Sequence, residues 1–360
     1  MTATGVLADH QLHDMIAQGQ ISAAERIESD QIQPASLDLR LGRVAYRVRA
    51  SFLSGRDRTV AARLADFQMH EIDLAGGAVL EKGCVYVVPL LESLDLPAGL
   101  TGAASAKSST GRLDLLTRII TDHGVEFDRV ADGYTGPLYA EICPRSFSVV
   151  VQPGLMLTQI IFRSGQTVIN DHDLRALHAH TPIVSGQPVI SDGLGFSVDL
   201  KPGDGNLVGY RAKPHTGVID LSKVNHYDPK EFWEPINTDA GWIILDPGAF
   251  YILVSREAIT IPPNCAAEMA PYVAMVGEFR VHYAGFFDPG FGHDASGGAG
   301  SRGVLEVRCH EAPFVLEHAQ VVGRLVYERM SAPPDKLYGA GIKSNYQGQG
   351  LKLSKHFRTA

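Results

Sequence analysis

Residues 105–112, SAKSSTGR, bring hydroxyl and cationic side chains into one short turn ahead of an apolar segment. The side chains of Ser108 and Ser109 are hydroxyl donors. Lys107 and Arg112 add positive charge, and a helix start leaves backbone N–H groups unpaired, which together suit a polyphosphate. Serine and threonine are also favoured helix caps where no ligand is present. Taken alone, the segment favours the capping interpretation over a phosphate site.

A second set of chemical groups lies towards the C-terminus, where HYAGFFDPGFG and a glycine-rich insertion precede VLEVR at 304–308. This pattern predicts a hairpin with Asp288 and Glu306 on its inner face. A carboxylate in a strand commonly faces solvent, which is the alternative interpretation. The segment 127–142 is similar and keeps a glutamate, Glu141, but it has alanine where the later segment has Asp288.

An internal repeat places these two sets of groups in different copies of one unit. Residues 80–100 align without gaps on residues 245–265 at an offset of 165. SLDLR at 36–40 and SVDLK at 197–201 match at a slightly different offset and open the two copies. The second copy lacks the serines and cations of the turn, so we expect each copy to have kept a different half of a site.

The distribution of residue types predicts a mainly β protein. Short β-branched and aromatic runs alternate with Gly, Pro, Asp and Asn turns, which is typical of barrels and sandwiches. Helical periodicity is confined to 8–18, 110–120 and 228–233, which we interpret as short accessory helices. At 360 residues the chain fits two domains. The predicted parts are domain 1–185, a linker at about 165–190, and domain 186–360.

The composition excludes several classes of protein. A net charge of −8 disfavours a broad nucleic-acid-binding surface. No run approaches the ~18 apolar residues of a membrane helix, and the first residues lack a signal-peptide pattern, so we expect a cytoplasmic protein with no membrane association. The cysteines form no CxxC pair, and the HxE and PCxxC strings of zinc deaminases and the P-loop are missing. No GxGxxG string is placed between a predicted strand and a predicted helix, as a dinucleotide-binding fingerprint requires.

Together the motifs resemble the dCTP deaminase and dUTPase superfamily. The resemblance rests on the SSxxR turn, the AGFFDPGFG hairpin ending in LE, the SxDLRLG opening and the C-terminal YQGQG, and it spans nearly the whole chain. The DPGF and LE elements are similar to the deaminase branch. The resemblance implies two tandem dUTPase-like β-barrel domains of the β-clip type, and it favours phosphate binding over helix capping for the serine-rich turn.

The resemblance also implies a role for each residue of the site. Glu306 would be the proton shuttle: water attacks C4 of cytosine while N3 gains a proton and ammonia leaves. A carboxyl group shielded from water can have its pKa raised enough for both transfers. Ser108 would hydrogen-bond the water or the departing amine. The implied substrate contacts are the triphosphate at Ser108, Ser109 and Arg112, with Lys107 where the family often has arginine, the deoxyribose at Asp288, and the base at the backbone of Val304 and Leu305.

The tail LYGAGIKSNYQGQGLKLS, 337–354, resembles the deaminase lid that folds over bound nucleotide. It places Tyr338 and Gln349 at positions that the family uses for the triphosphate. Where the family often has a lysine in the lid, this sequence has Asn345, and Lys343 stands two residues earlier. Lys343 is therefore our candidate for that contact.

Glu141 is the rival of Glu306, because it occupies the same hairpin position in the first copy. The fuller motif around Asp288 favours Glu306. Sites of this family form between neighbouring barrels, so the split retention implies one composite site for each chain or pair of chains. We expect a pseudo-dimeric arrangement of barrels in a homo-oligomer, either a dimer or a trimer, and stacked trimers would leave Glu141 catalytic.

The implied function is metal-independent hydrolysis of dCTP to dUTP and ammonia, which supplies dUTP for dTTP synthesis. We expect Mg²⁺ only as the escort of the substrate triphosphate, and neither zinc nor a metal site on the protein. The alternatives are a dUTPase, a bifunctional enzyme that also cleaves dUTP to dUMP and pyrophosphate, and a non-catalytic nucleotide-binding regulator.

Overall fold

The computed structural model describes residues 4–201, 205–271, 279–282, 285–339 and 346–359. The first half contains α1 (Asp9–Ala17), α2 (Val60–Phe67), α3 (Ser108–Gly111), β1 (Gly5–Val6), β2 (Ile21–Ala23), β3 (Leu37–Arg40), β4 (Val44–Val48), β5 (Gln68–Asp73), β6 (Ala78–Leu80), β7 (Val85–Asp95), β8 (Leu100–Ala106), β9 (Leu115–Thr121), β10 (Arg129–Val130), β11 (Thr135–Pro144), β12 (Val149–Val151) and β13 (Met156–Ser164).

The second half has the same mainly β character. It contains α4 (Asp171–His180), α5 (Pro229–Phe232), β14 (Leu194–Ser197), β15 (Leu207–Ala212), β16 (Ile219–Asp220), β17 (Trp233–Asn237), β18 (Trp242–Leu245), β19 (Phe250–Ile259), β20 (Cys265–Pro271), β21 (Phe279–His282), β22 (Phe286–Phe287), β23 (Ser301–Cys309), β24 (Phe314–Glu317) and β25 (Val321–Arg329). The predicted mainly β class is confirmed. Within the described residues, no helix is long and apolar enough to cross a membrane.

Corresponding sheets in the two halves have the same order and the same register. In the first half β13 lies between β3 and β8, and in the second β25 lies between β14 and β20. Glu141 on β11 pairs with Val87 on β7, and Glu306 on β23 pairs with Ile252 on β19. Both members of the second pair follow those of the first by the repeat offset of 165 residues. The two glutamates therefore occupy the same place in their respective sheets, as two copies of one unit require.

The strand pairing corrects the predicted match at the start of each copy. Leu37 of β3 pairs with Ile160, while Leu194 of β14 pairs with Leu325, the repeat equivalent of Ile160. The strand equivalent to β3 is thus 194–197. The predicted alignment of SLDLR with SVDLK is wrong, because SVDLK shares letters with the first strand but lies largely beyond β14.

Two predictions of local structure also change. Of the segment predicted as a helix at 110–120, only the first two residues are helical, as the end of α3. LLTRIIT forms β9 instead, because it pairs with β11. The predicted linker at 165–190 contains α4, and its Leu174 is buried in the core of the second half. The packing therefore places the boundary between the halves before α4 rather than near residue 185.

The halves are interlocked rather than merely adjacent. Strand β16 of the second half pairs in parallel with β12 of the first. Trp233 and the C-terminal Phe357 belong to the large core of the first half, where their rings meet edge to face with centroids 5.9 Å apart. The relative position of the halves is consequently held by core packing as well as by surface contacts.

Arg163 and Glu328 mark a point where the two copies meet on equivalent positions. The Nε and a terminal nitrogen of Arg163 each donate to a carboxylate oxygen of Glu328 at 2.6 Å. Arg163 pairs with Thr101 and Glu328 with Ala266, so each is the repeat equivalent of the other. In a symmetric dimer this position would face itself. A single chain with two diverged copies can place opposite charges there.

Candidate active site

A cavity of about 150 Å³ lies between the halves and brings the predicted turn, hairpin and tail together. The first half contributes the end of β8 and α3, and the second half contributes β22, β23 and the tail. Its lining is formed by Gln33, Asp38, Ala106, Lys107, Ser108, Ser109, Arg112, Gln159, Met269, Gly285, Phe286, Phe287, Asp288, Phe291, Val304, Glu306, Tyr338, Tyr346, Gln349 and Lys355.

The serine-rich turn is fastened to the sheet of the first half. It follows β8 directly, and α3 is only four residues long. The backbone N–H of Lys107 and the hydroxyl of Thr110 both donate to the carbonyl of Leu157, each at 2.9 Å. The residue that caps α3 is Lys107, which makes no side-chain capping bond. Ser108 is therefore not the cap of α3, and it lines the cavity instead.

Strand β23 presents alternate side chains to the two halves, as an extended strand must. Val304 and Glu306 face the cavity. Leu305 and Val307 point the other way, into the core of the second half. The side chain of Leu305 thus supports the sheet, and any contact that Leu305 makes with a ligand would come from its backbone.

Glu306 is a buried carboxyl group next to a buried cation. Its side chain is 7% exposed, and its Oε1 lies 3.9 Å from Nε of Arg112. Burial raises the pKa of Glu306 to about 8, although the charge of Arg112 opposes that rise. A carboxyl group in this setting can hold or release a proton near neutral pH, which is what a proton shuttle requires.

Two further carboxyl groups lie beside the turn. Asp38 forms an ion pair with Lys107, and burial raises its pKa from the ordinary value. Asp288 is buried and accepts a hydrogen bond from the backbone N–H of Ala35 at 3.2 Å. Burial, assisted by the negative charge of Asp38, raises the pKa of Asp288 to about 7. A neutral carboxyl group at this position could donate a hydrogen bond as well as accept one.

The tail closes over Arg112. The guanidinium lies 3.8 Å above the centre of the Tyr346 ring and donates to Oε1 of Gln349 at 2.9 Å. The amide nitrogen of Gln349 in turn donates to the carbonyl of Arg302 at 3.1 Å. Gln349 thereby links the turn of the first half to the hairpin of the second, and Tyr346 covers the guanidinium of Arg112.

Tyr338 is positioned by the DPG turn of the hairpin. Its backbone N–H donates to the carbonyl of Pro289 at 2.8 Å. Gly290 has a φ of +95°, and a Cβ there would lie 3.0 Å from the nitrogen of Tyr338. Only glycine fits this close approach without strain. Lys343 and Asn345 lie outside the described residues, so the predicted lysine contact has no geometry.

The structure brings most of the predicted side chains together and separates one of them. Lys107, Ser108, Ser109, Arg112, Asp288, Val304, Glu306, Tyr338 and Gln349 all line the cavity. Glu141 does not. It is 1% exposed and forms an ion pair with Arg118 of its own half, and Nε of Arg118 also donates to its Oε1 at 3.2 Å.

Sequence reasoning missed several lining residues. Asp38 lies within the SxDLRLG opening and Tyr346 within YQGQG. Both motifs were used for the resemblance, but neither residue was predicted to line the site. Gln159 and Lys355 lie in no motif that was recognised, and only the fold brings them to the cavity. Aromatic rings at Phe286, Phe287 and Phe291 belong to the hairpin and form its apolar wall.

Each half of the chain matches a model of a known protein family. Residues 3–166 match the family model described as the 2'-deoxycytidine 5'-triphosphate deaminase (DCD) N-terminal domain, and residues 170–357 match the model of its C-terminal domain. The chain therefore belongs to the 2'-deoxycytidine 5'-triphosphate deaminase family. Its fold is accordingly the dUTPase-like fold of those enzymes.

Individual relatives carry the same description. The crystal structure of the 2'-deoxycytidine 5'-triphosphate deaminase from Agrobacterium tumefaciens is 54% identical, with a TM-score of 0.88, and covers 91% of this chain and 99% of that one. The dUMP-forming dCTP deaminase of Corynebacterium jeikeium is 32% identical over 142 residues, which is 37% of this chain and 71% of the relative. The dCTP deaminase of Haemophilus influenzae is also 32% identical over 142 residues, covering 38% of this chain and 70% of the relative.

Proposed function

We propose that this chain deaminates dCTP to dUTP and ammonia. The observation that carries the proposal is the buried Glu306 carboxyl, whose pKa is raised to about 8, 3.9 Å from Arg112 in a cavity lined by both halves. A carboxyl group that titrates near neutral pH can accept a proton from water and return it within one turnover. Family membership supplies the substrate class.

The proposed reaction adds water across the N3–C4 double bond of cytosine. Ionised Glu306 takes a proton from the attacking water and passes it to N3. The proton left on the new C4 hydroxyl is then transferred through Glu306 to the amine, which leaves as ammonia as the C4 carbonyl forms, so that one dCTP and one water give one dUTP and one ammonia. Ser108 would hydrogen-bond the water or the departing amine. Arg112 would hold the oxygen that carries developing negative charge.

The proposed substrate position follows the charges of the cavity. The triphosphate would contact the turn, where Ser109 and Lys107 lie, with Tyr338 and Gln349 closing from the tail. Asp288 would hydrogen-bond the deoxyribose. The remaining proposed contacts are the backbone of Val304 and Leu305 with the base, and Lys343 with the phosphates.

A magnesium ion is proposed only as the counter-ion of the triphosphate. Lys107 is already paired with Asp38, so the turn does not neutralise a triphosphate alone. Among the described lining residues there is no His or Cys, the side chains that hold catalytic zinc. The lining residues therefore support water attack without a metal on the protein. The proposed product, dUTP, would supply dTTP synthesis.

A bifunctional activity is the second candidate. It is favoured by the relatives from Corynebacterium, which are named dUMP-forming. Such an enzyme would convert one dCTP and two waters to dUMP, pyrophosphate and ammonia. A dUTPase would act on dUTP but not on dCTP, and a non-catalytic regulator would bind dCTP unchanged.

The test is to incubate the purified chain with dCTP and Mg²⁺ in the presence of a chelator selective for transition metals, and to separate the products by chromatography. We expect dUTP and ammonia in equal amounts. Production of dUMP would show the bifunctional enzyme. Hydrolysis of dUTP in a parallel incubation without turnover of dCTP, or binding of dCTP without turnover, would overturn the proposal. Oligomeric state remains a prediction of a dimer or trimer, to be measured by light scattering.

A further inference from the structure

A buried ion pair joins the two halves beside the cavity without lining it. A terminal nitrogen of Arg308 on β23 contacts Oδ2 of Asp114, which follows the serine-rich turn. The side chains are 9% and 0% exposed. The hydroxyl of Ser146 donates to the same carboxylate oxygen at 2.6 Å, so the aspartate is held from both sides.

This pair runs alongside the pair at the centre of the site. Arg112 and Asp114 are two residues apart at the end of the turn, and Glu306 and Arg308 are two residues apart on one face of β23. In the first pair the cation is on the turn and the carboxyl group on the strand, with Nε of Arg112 3.9 Å from Oε1 of Glu306. In the second pair the carboxylate, Asp114, is on the turn side and the cation, Arg308, is on the strand. The two halves thus meet here through two opposite-charge pairs in sequence, which specifies one register between the turn and the strand.

The Asp114–Arg308 ion pair has no counterpart at the equivalent positions of the repeat. The repeat equivalent of Arg308 is Cys143, which has no permanent charge. Glu141, the equivalent of Glu306, therefore has no cation two residues further along its strand. The charge at position 308 accompanies the glutamate that faces the cavity.

We propose that Asp114 and Arg308 are positioning residues for the reaction: the pair fixes how β23 approaches the turn and balances the charge of Arg308 beside Glu306. This inference rests on the proposed function, because it takes Glu306 as the proton shuttle. Neither residue lines the cavity, so both act through Glu306 and Arg112.

The balance matters because residues two apart on a strand are about 6.6 Å apart along the chain and on one face. Among the side chains that the structure describes, the charged and titratable groups near Glu306 are Arg112 from the turn and Tyr346 from the tail, and Arg308 lies two residues further along its own strand. Loss of the Asp114 charge would favour the ionised glutamate, whereas loss of the Arg308 charge would favour the protonated one.

The test uses two substitutions that remove opposite charges. In Asp114→Asn the uncompensated Arg308 should lower the apparent pKa in the pH profile of kcat by about one unit. In Arg308→Met the loss of the Arg308 charge should raise it by a similar amount. The double variant should return it towards the original value. A purely structural role would give no opposed shifts. Shifts in the same direction in both variants, or no shift in either, would overturn the proposal.

Two further variants separate geometry from charge. Arg308→Lys keeps the charge but loses the planar fork, so kcat should fall about tenfold while the apparent pKa stays in place. Arg302→Met is the matched control, because Arg302 lies on the same strand and pairs with Asp199 within the second half. It should leave the apparent pKa unchanged.

A second readout does not require turnover. The stability of each variant is compared with that of the same variant carrying Glu306→Gln, between pH 5 and 9, since the pH dependence of the difference reports the pKa of Glu306. Opposite displacements in Asp114→Asn and Arg308→Met support the pair even if dCTP is not deaminated, in which case only the proposed function fails. No displacement in either variant overturns the inference.

Discussion

Glu306 and Glu141 occupy equivalent places in their sheets but have different neighbours. Glu306 faces the opposite half, lines the cavity and lies 3.9 Å from Arg112. Glu141 is tied to Arg118 of its own half, which also stacks on Phe127 with its guanidinium carbon 3.6 Å from the ring centre. The same sheet position thus carries a carboxyl group facing a cavity in one half and an internal ion pair in the other.

The difference shows how two copies can divide one site. The fold determines the position of each glutamate in its sheet, but the residues packed against that glutamate determine the chemistry available to it. The first half kept the turn and lost the hairpin aspartate, and the second kept the hairpin. Both contributions lie in one chain, and described residues of its two halves line the cavity.

The largest expected effect is the loss of activity on removing the carboxyl group that faces the cavity. Glu306→Gln should lower kcat for dCTP by about 10³-fold, since proton transfer by a positioned group contributes 10²–10⁴-fold. Glu141→Gln is the matched control and should change kcat by less than about threefold, because it alters a side chain outside the cavity. Steady-state kinetics on folded protein decides between them. A dead Glu141→Gln enzyme with an active Glu306→Gln enzyme would reverse the assignment.

The next effect concerns stability where equivalent positions meet. Arg163→Met leaves Glu328 buried without its bidentate partner, which should cost about 3–5 kcal/mol of unfolding free energy. The exchange Arg163→Glu with Glu328→Arg should recover much of that loss. Urea unfolding of the three proteins measures it. If the exchanged protein is as unstable as Arg163→Met, then the surroundings of each position, and not the pairing alone, decide which charge each position accepts.

Part of this comparison could be predicted from sequence because its signals are contiguous. The turn, the DPGF hairpin and the repeat offset can each be read from short strings. They predicted that Glu306, Asp288 and Arg112 belong to one site formed by both copies, and the structure places these residues around one cavity. The mainly β class followed from the alternation of short apolar runs and turns.

The rest depended on long-range packing. The apolar spacing in 110–120 suits a short helix as well as a strand, and pairing with β11 decided for the strand. SVDLK was aligned with SLDLR because the two segments have similar residues. The pairing of β14 with β25 shows instead that 194–197 is the equivalent strand. Lys355 reaches the cavity only because the tail returns across the first half, where the hydroxyl of Ser354 donates to the carbonyl of Ser109 at 2.7 Å.

A smaller effect follows from the proton on Glu306. Its pKa is about 8 when folded against an ordinary 4.5. Between these values the folded state binds more protons than the unfolded state, so its unfolding free energy falls as pH rises, by up to about 1.4 kcal/mol per pH unit. Glu306→Gln removes this dependence, and its stability advantage should grow from pH 5 to 8 and then level off. A constant advantage in urea unfolding across that range would mean an ordinary pKa.

The smallest effect compares two glutamines of the tail. Gln349 accepts from Arg112 of the first half at 2.9 Å, whereas Gln347 bonds within the second half, accepting from the backbone N–H of Gly292 at 3.1 Å. Gln349→Ala removes a partner of a buried cation, which should raise KM for dCTP about tenfold. Gln347→Ala should raise it less, because the link between halves survives. Equal effects in steady-state kinetics would mean that the tail acts as one unit and that contact with Arg112 has no separate importance.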